Sequence, residues 1–149
     1  MKVAAVFATM NRSAVALSCV KSLSLQHFPL AYVVIADNGS ADNTINDLKS
    51  LSSLPFPLEV LELGCNIGNA GGIAAAMEQA FGNGADAVWI LDDDSWPRPD
   101  ALSAILSREW DRMSVLHAHQ VNPQTVKGSP ISVSGQAGKR ISGSQLFFF

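Results

Sequence analysis

The chain has 149 residues, of which 48% are hydrophobic and 15% are charged, and its formal net charge is -3. This length allows one domain with a full hydrophobic core, and the composition excludes an intrinsically disordered chain. Lysine and arginine form no cluster, so a basic surface that binds the phosphates of a nucleic acid is excluded as well. No nucleic-acid partner is therefore expected.

Apolar runs that are typical of buried strands alternate with helical patterns over the first two thirds of the chain. The runs lack polar alternation, which indicates strands covered on both faces. The predicted strands are 3–8, 32–36, 58–63 and 87–91. The predicted helices, whose apolar residues recur at helical spacing, are 12–26, 41–51, 70–81 and 99–108. Regular alternation of this kind predicts an α/β fold with a mainly parallel sheet flanked by helices.

Local residues refine three of these elements. Glu59 and Glu62 interrupt the third apolar run, shortly after two prolines, and predict an edge strand. Ser40 is well placed to cap the N-terminus of the second helix. The glycines and asparagine at 82–84 tolerate the left-handed backbone that ends many helices, so the third helix is expected to stop there.

The pattern changes near residue 113. Residues 115–119 are compatible with a strand, whereas 122–144 are rich in Ser, Gly, Pro, Gln and Lys and indicate loop. Three phenylalanines, 147–149, end the chain and would expose a large apolar area unless they pack on something. We therefore expect a ligand-binding domain over 1–112, followed over 113–149 by the loop-rich, incomplete start of a second region, as in a truncated chain.

The sequence also predicts where the protein resides. No segment resembles a secretion leader, and the longest apolar run, 28–36, is too short to cross a bilayer. Cys19 and Cys65 lack the spacing of a metal site and are interpreted as buried, reduced thiols. A cytoplasmic location is expected. Association of the terminal phenylalanines with the inner face of a membrane or with a partner chain is left open, as is the oligomeric state.

Four polar or glycine-rich segments each follow a predicted strand. Because the carboxyl ends of parallel strands share one sheet edge, where open α/β sheets bind ligands, we expect the segments to converge. Turn, capping or helix-packing chemistry can explain each of the first three alone. The candidate binding residues are Thr9, Asn11 and Arg12, then Asp37 and Asn38, then Asn66, Gly68, Gly71 and Gly72, and finally Asp93 with its two acidic neighbours.

The acidic segment Asp92-Asp93-Asp94 directly follows an apolar strand. Adjacent carboxylates repel one another, and a divalent cation that bridges to a phosphate offsets the repulsion. Side chains alternate along an extended segment, so Asp92 and Asp94 are the predicted metal ligands and Asp93 is free to contact a sugar or ribose. A solvated acidic turn is the alternative; it is less favoured because desolvation beside the strand would raise the pKa values of these carboxyls unless a cation compensates.

In order and spacing, these motifs resemble the N-terminal half of family 2 glycosyltransferases with the GT-A fold, in the branch of bacterial rhamnosyltransferases and galactofuranosyltransferases. The resemblance covers residues 1–110. It implies a Rossmann-like sheet truncated after the DXD motif, a UDP-sugar or dTDP-sugar donor near Thr9 and Asp37, and Mg²⁺ or Mn²⁺ held by the aspartates. It also implies inverting transfer to a glycan or lipid-linked acceptor, in cell-wall or polysaccharide synthesis. The matching segments are Ala8-Thr9-Met10-Asn11-Arg12, Asp37-Asn38-Gly39-Ser40, Asn66-Ile67-Gly68-Asn69-Ala70-Gly71-Gly72 and Leu91-Asp92-Asp93-Asp94.

One feature of the family is missing. The resemblance implies a general base on a later aspartate, yet no acidic residue follows Asp111. We expect the base to be absent from this chain, and the chain alone to bind donor weakly and transfer sugar poorly. The alternative is a non-catalytic nucleotide-sugar-binding or interaction module. A nucleotidyltransferase is less favoured, because segment 9–12 lacks glycine and has a single basic residue.

Overall fold

Strands and helices alternate along the chain as predicted. The computed structural model describes residues 1–107, 115–117 and 145–148. Its strands are β1 (Val3–Thr9), β2 (Tyr32–Asp37), β3 (Leu58–Glu62), β4 (Ala87–Ile90), β5 (Val115–His117) and β6 (Gln145–Phe148). Its helices are α1 (Ser13–Leu23), α2 (Thr44–Lys49), α3 (Gly68–Gly82) and α4 (Ala101–Leu106).

The described strands form one sheet in the order β3-β2-β1-β4-β6-β5. The pairs β1–β2, β1–β4 and β2–β3 are parallel, which confirms the predicted α/β architecture. β3 lies at an edge, as its glutamates indicated. β6 was not predicted: it pairs antiparallel with β4, in a register that joins Ala87 to Phe148 and Ile90 to Gln145. It satisfies backbone groups of β4 that would otherwise form an open edge.

The helices differ from their predicted bounds mainly at the ends. α1, α2 and α4 are shorter than predicted, whereas α3 begins earlier, at Gly68. The predicted cap at Ser40 is wrong, because α2 begins only at Thr44 and the Ser40 hydroxyl donates to Asp37 instead, at 2.6 Å. Asp42 accepts the backbone N–H of Thr44 at 2.9 Å. After α3, Gly84 has a φ of +83°, which confirms the predicted left-handed end.

The sheet is covered on both faces, and this holds its carboxyl edge in place. Alternate residues of β1 point to opposite sides, so Phe7 joins a cluster with Leu23 and Trp89, while Val6 packs in a second cluster with Ala76 of α3. Every residue of β1 is buried. The loops that follow β1 and its neighbours are therefore attached to a rigid core.

Some predictions concern residues that the structure describes only in part. The strand predicted over 115–119 is confirmed for 115–117, whereas the loop predicted over 122–144 lies outside the described residues. The division of the chain at residue 112 stays a prediction. Within the described part, no helix is both long enough and apolar enough to cross a membrane.

Candidate functional site

A cavity of about 790 Å³ lies at the sheet edge where β1, β2 and β4 end. All four predicted segments contribute to it, so the convergence inferred from the strand order is observed. The cavity combines carboxylates, side-chain amides, one guanidinium and one indole. Its lining consists of Ala8, Thr9, Met10, Arg12, Asn38, Asn66, Asn69, Asp92, Asp93, Asp94 and Trp96.

The acidic segment is a turn. The backbone N–H of Ser95 donates to the carbonyl of Asp92 at 2.9 Å. The expectation that Asp93 faces away from Asp94 is wrong, because it assumed an extended backbone; Arg12 contacts the carboxylates of both. All three aspartates are among the residues that line the cavity. Asp93 is buried and Asp94 is exposed. The turn therefore contributes three acidic residues to the lining of one cavity.

Direct contacts join this turn to the segment after β1. The Thr9 hydroxyl donates to Oδ2 of Asp93 at 2.9 Å, and Nη1 of Arg12 donates to Oδ1 of the same carboxylate at 2.6 Å. Nη2 of Arg12 reaches Oδ2 of Asp94 at 3.3 Å. Both oxygens of Asp93 thus have partners, and Arg12 bridges two of the three aspartates.

The electrostatics of the turn favour a positive charge. Burial is the largest cause that raises the pKa of Asp93; the neighbouring aspartates add to the shift, and the Thr9 hydroxyl and Arg12 oppose it. Beneath the turn, the pKa of Cys19 is raised to about 12, first by burial and then by the same three aspartates. Burial is the largest cause of both shifts, and the aspartates add a smaller negative contribution that a bound cation would offset.

The segment after β2 is held by a compact set of hydrogen bonds. Asp37 is buried, and its two oxygens accept the N–H and the hydroxyl of Ser40 at 2.7 and 2.6 Å. Asn11 adopts a φ of 52°, donates its N–H to the Ser40 hydroxyl and accepts the N–H of Ala41. Neither Asn11 nor Asp37 lines the cavity. Their observed contacts lock the segments after β1 and β2 together.

The segment after β3 reaches the site through Asn38. The Asn38 amide donates to the carbonyl of Gly68 at 3.3 Å and accepts the N–H of Ile67 at 3.4 Å, which ties the start of α3 to the end of β2. Gly72 lies so close to the sheet that an added Cβ would be 2.8 Å from Cβ of Ala8. Close packing of the helix on the sheet, which was one interpretation of this glycine-rich segment, is thus observed. Three glycines of this segment were predicted to bind the ligand, and none of them lines the cavity: Gly68, Gly71 and Gly72.

Gly72→Ala is expected to lower the free energy of unfolding by about 1–3 kcal/mol, because the new methyl group must push α3 away from the sheet. Gly82→Ala is the matched control in the same helix, since its Cβ would meet nothing within 4 Å. It should stabilise the fold by up to about 1 kcal/mol, as alanine favours helix more than glycine does. Urea denaturation measures both. Equal effects of the two substitutions would contradict the packing assigned to Gly72.

Three larger cavity residues were missed in the candidate set. Met10 and Asn69 line the cavity and lie inside the matched motifs, so the motifs themselves were the signal that could have identified them. Trp96 is 64% exposed, and it is followed by Pro97, which restricts its backbone. An indole left in solvent two residues beyond an acidic turn is the signal that could have identified it.

Comparison with known families bears directly on this site. The model for Glycosyl transferase family 2 matches residues 5–120. The chain is 30% identical over 90 residues to the galactofuranosyltransferase GlfT1 of Mycolicibacterium smegmatis, in a match that covers 60% of this chain and 27% of that protein. It is 32% identical over 74 residues to GlfT1 of Mycobacterium tuberculosis, which covers 50% and 24%. The chain thus spans about a quarter of the length of these relatives.

Solved structures share the fold at lower identity. The mannosyltransferase PcManGT of Pyrobaculum calidifontis, in complex with GDP-Man and Mn²⁺, superposes with a TM-score of 0.67 at 22% identity, over 76% of this chain and 34% of that one. TarS 1-349 of S. aureus, in complex with UDP-GlcNAc, gives 0.63 at 23% identity, over 72% and 30%. The resemblance inferred from the four motifs is confirmed. The chain belongs to glycosyltransferase family 2, and its described part has the GT-A fold.

Proposed function

We propose that the cavity binds a nucleotide-diphosphate sugar, with UDP or dTDP as the nucleotide. We further propose that the whole protein transfers the sugar, with inversion, to a glycan or lipid-linked acceptor. The observation that carries this proposal is the meeting of three carboxylates, one guanidinium and several amides in a single cavity at the carboxyl edge of the sheet. Structural neighbours in complex with GDP-Man and UDP-GlcNAc support it.

The side chains of the turn suit Mg²⁺ or Mn²⁺. Carboxylate oxygens are the ligands that these hard cations prefer. Among the described residues, no group of three His, Cys, Asp or Glu side chains is placed to hold a metal ion. A site of two carboxylates, as proposed here, relies on substrate phosphates to complete the coordination of Mg²⁺. Asp92 and Asp94 would hold the cation, which when bound would stabilise the negative charge of the departing diphosphate.

The other cavity residues would position the donor. Asp93 anchors Thr9 and Arg12 and would contact the sugar or ribose, while Asn38 and Asn66 would offer amide groups to hydroxyls or phosphates. Asn11, Asp37 and the glycines of α3 would act indirectly, because they hold the loops that carry these groups. The proposal includes a cytoplasmic location, at the inner face of the membrane if the acceptor is lipid-linked.

The acceptor side stays without assigned residues. Inverting transfer needs a general base on the face opposite the diphosphate. Asp93 and Asp94 are paired with Arg12, and Asp92 lies beside them in the turn proposed to hold the cation, so we assign all three to the donor side of the cavity. Because the described residues that line the cavity include no carboxylate outside this turn, a non-catalytic nucleotide-sugar-binding module is the second candidate. Nucleotide binding without transfer to any acceptor would favour it.

Calorimetric titration with UDP and dTDP, with and without Mn²⁺, tests the donor site. We expect Mn²⁺ to tighten nucleotide binding at least about tenfold, and the double variant Asp92→Asn/Asp94→Asn to lose that gain. Asp86→Asn is the matched control, since Asp86 lies at the opposite end of β4 and accepts the N–H of Lys2. Equal affinities with and without Mn²⁺ would contradict the proposal, as would a double variant that behaves like Asp86→Asn.

A further inference from the structure

Arg12 is the only basic side chain that lines the cavity within the described residues. Its two terminal nitrogens lie 2.6 Å from Asp93 and 3.3 Å from Asp94. The Asp93 side chain is 7% exposed, whereas those of Arg12 and Asp94 are 45% and 53% exposed. The guanidinium thus supplies the positive charge that the buried Asp93 needs, and it reaches further to an aspartate at the open side of the turn.

This arrangement places two positive charges in competition for the same turn. A divalent cation held by Asp92 and Asp94 would take the carboxylate that Nη2 of Arg12 contacts, and it would repel the guanidinium. Arg12 precedes α1 and is nearly half exposed, so its side chain can swing outward without unpacking the core. The cost of such a movement is the loss of its ion pairs.

A nucleoside diphosphate offers a replacement partner. Guanidinium groups bind phosphate through two parallel hydrogen bonds, and a diphosphate at this cation would lie within the cavity that Arg12 lines. Moreover, a divalent cation held by two carboxylates keeps coordination positions that phosphate oxygens can fill. The cation would therefore release Arg12 to bind the diphosphate, and the diphosphate would provide Arg12 with a new partner and the cation with further ligands.

We infer that Arg12 is an internal counter-ion that the divalent cation displaces from Asp94 and the diphosphate then captures, so that cation and nucleotide bind interdependently. The inference rests on the proposed function. It assigns Arg12 two alternating partners, carboxylate and phosphate, and makes its release a determinant of affinity for the cation. By linkage, the nucleotide strengthens cation binding by the same factor as the cation strengthens nucleotide binding.

Mn²⁺ binding measured by electron paramagnetic resonance of the free ion tests this inference without any turnover. Wild type, Arg12→Gln and Arg98→Gln are titrated with Mn²⁺, alone and with the better-binding of UDP and dTDP. Without nucleotide, Arg12→Gln should bind Mn²⁺ about tenfold more tightly than wild type, because a charge-assisted competitor is gone. Adding the nucleotide should raise the Mn²⁺ affinity of wild type by a factor about tenfold larger than the factor by which it raises that of Arg12→Gln.

Arg98→Gln is the matched control, because Arg98 pairs with Asp100 outside the cavity and should behave as wild type. Arg12→Lys keeps the charge but not the forked geometry, and should lie nearer to wild type than Arg12→Gln does. If wild type binds Mn²⁺ with nucleotide and Arg12→Gln shows no tightening without it, the inference is overturned while the proposed function stands. If Mn²⁺ binds none of the variants even with nucleotide, both fail.

Discussion

Asp93→Asn is expected to stabilise the fold and to weaken nucleotide binding at the same time. Burial raises the pKa of Asp93 despite the help of Thr9 and Arg12, so its charge costs stability at neutral pH. Asparagine can still accept the Thr9 hydroxyl, and the half-exposed Arg12 keeps Asp94 as a partner. We expect a gain of about 0.5–2 kcal/mol in the free energy of unfolding. Nucleotide affinity in Mn²⁺ should fall about tenfold to a hundredfold, because a charged anchor of the site is lost.

The pH dependence of this gain is a sharper measurement. A carboxyl whose pKa is raised by folding binds its proton more tightly in the folded state than in the unfolded state. Its protonated form therefore stabilises the fold, and this contribution is lost as the pH rises from the ordinary pKa through the raised pKa. The stability advantage of Asp93→Asn over wild type should therefore shrink as the pH is lowered from neutral through that window. Urea denaturation across the pH range measures it. A variant less stable than wild type at neutral pH would contradict the assignment.

Trp89→Ala is expected to cost about 3–5 kcal/mol, enough to unfold much of the protein at moderate temperature. Trp89 is fully buried in β4, in register with Ala5 of β1, and it belongs to the core cluster on the face covered by α1. Since β4 leads directly into the aspartate turn, loss of this packing should also reduce nucleotide affinity. Thermal denaturation followed by circular dichroism measures the change in stability.

Trp89→Phe is the matched control for this effect. Nε1 of Trp89 is buried and has no hydrogen-bond partner among the described residues. Phenylalanine removes that unpaired N–H while it retains most of the apolar surface, so the two changes should offset each other to within about 1.5 kcal/mol of wild type. If Phe and Ala at this position were equally destabilising, the indole would have a polar role that these contacts do not reveal.

The convergence of the four segments could be predicted from the sequence because it follows from topology. Alternating apolar runs and helical patterns predict parallel strands, and parallel strands bring their carboxyl ends to one edge. Thr9, Asn38, Asn66 and the aspartate turn therefore lie around one cavity, as expected. The family could also be recognised, since four motifs in the right order are more specific than any of them alone.

The details of the site depend on contacts that periodicity does not encode. The acidic segment bends through a hydrogen bond from the N–H of Ser95 to the carbonyl of Asp92. A turn was the less favoured alternative, because the sequence does not show whether three acids after a strand continue it or bend away. Ser40 resembled a helix cap, yet Asp37 and Asn11 engage it in a loop-to-loop contact. β6 was missed because its partner, β4, lies far away in the sequence.

Anomalous scattering from a crystal grown with Mn²⁺ and UDP or dTDP is the most direct measurement of the proposed donor site. We expect one manganese peak in the cavity, about 2.1 Å from carboxylate oxygens of Asp92 and Asp94, with the diphosphate completing its coordination. Nucleotide bound elsewhere, or nucleotide bound in the cavity with no manganese at the turn, would contradict the metal-dependent site proposed for these residues.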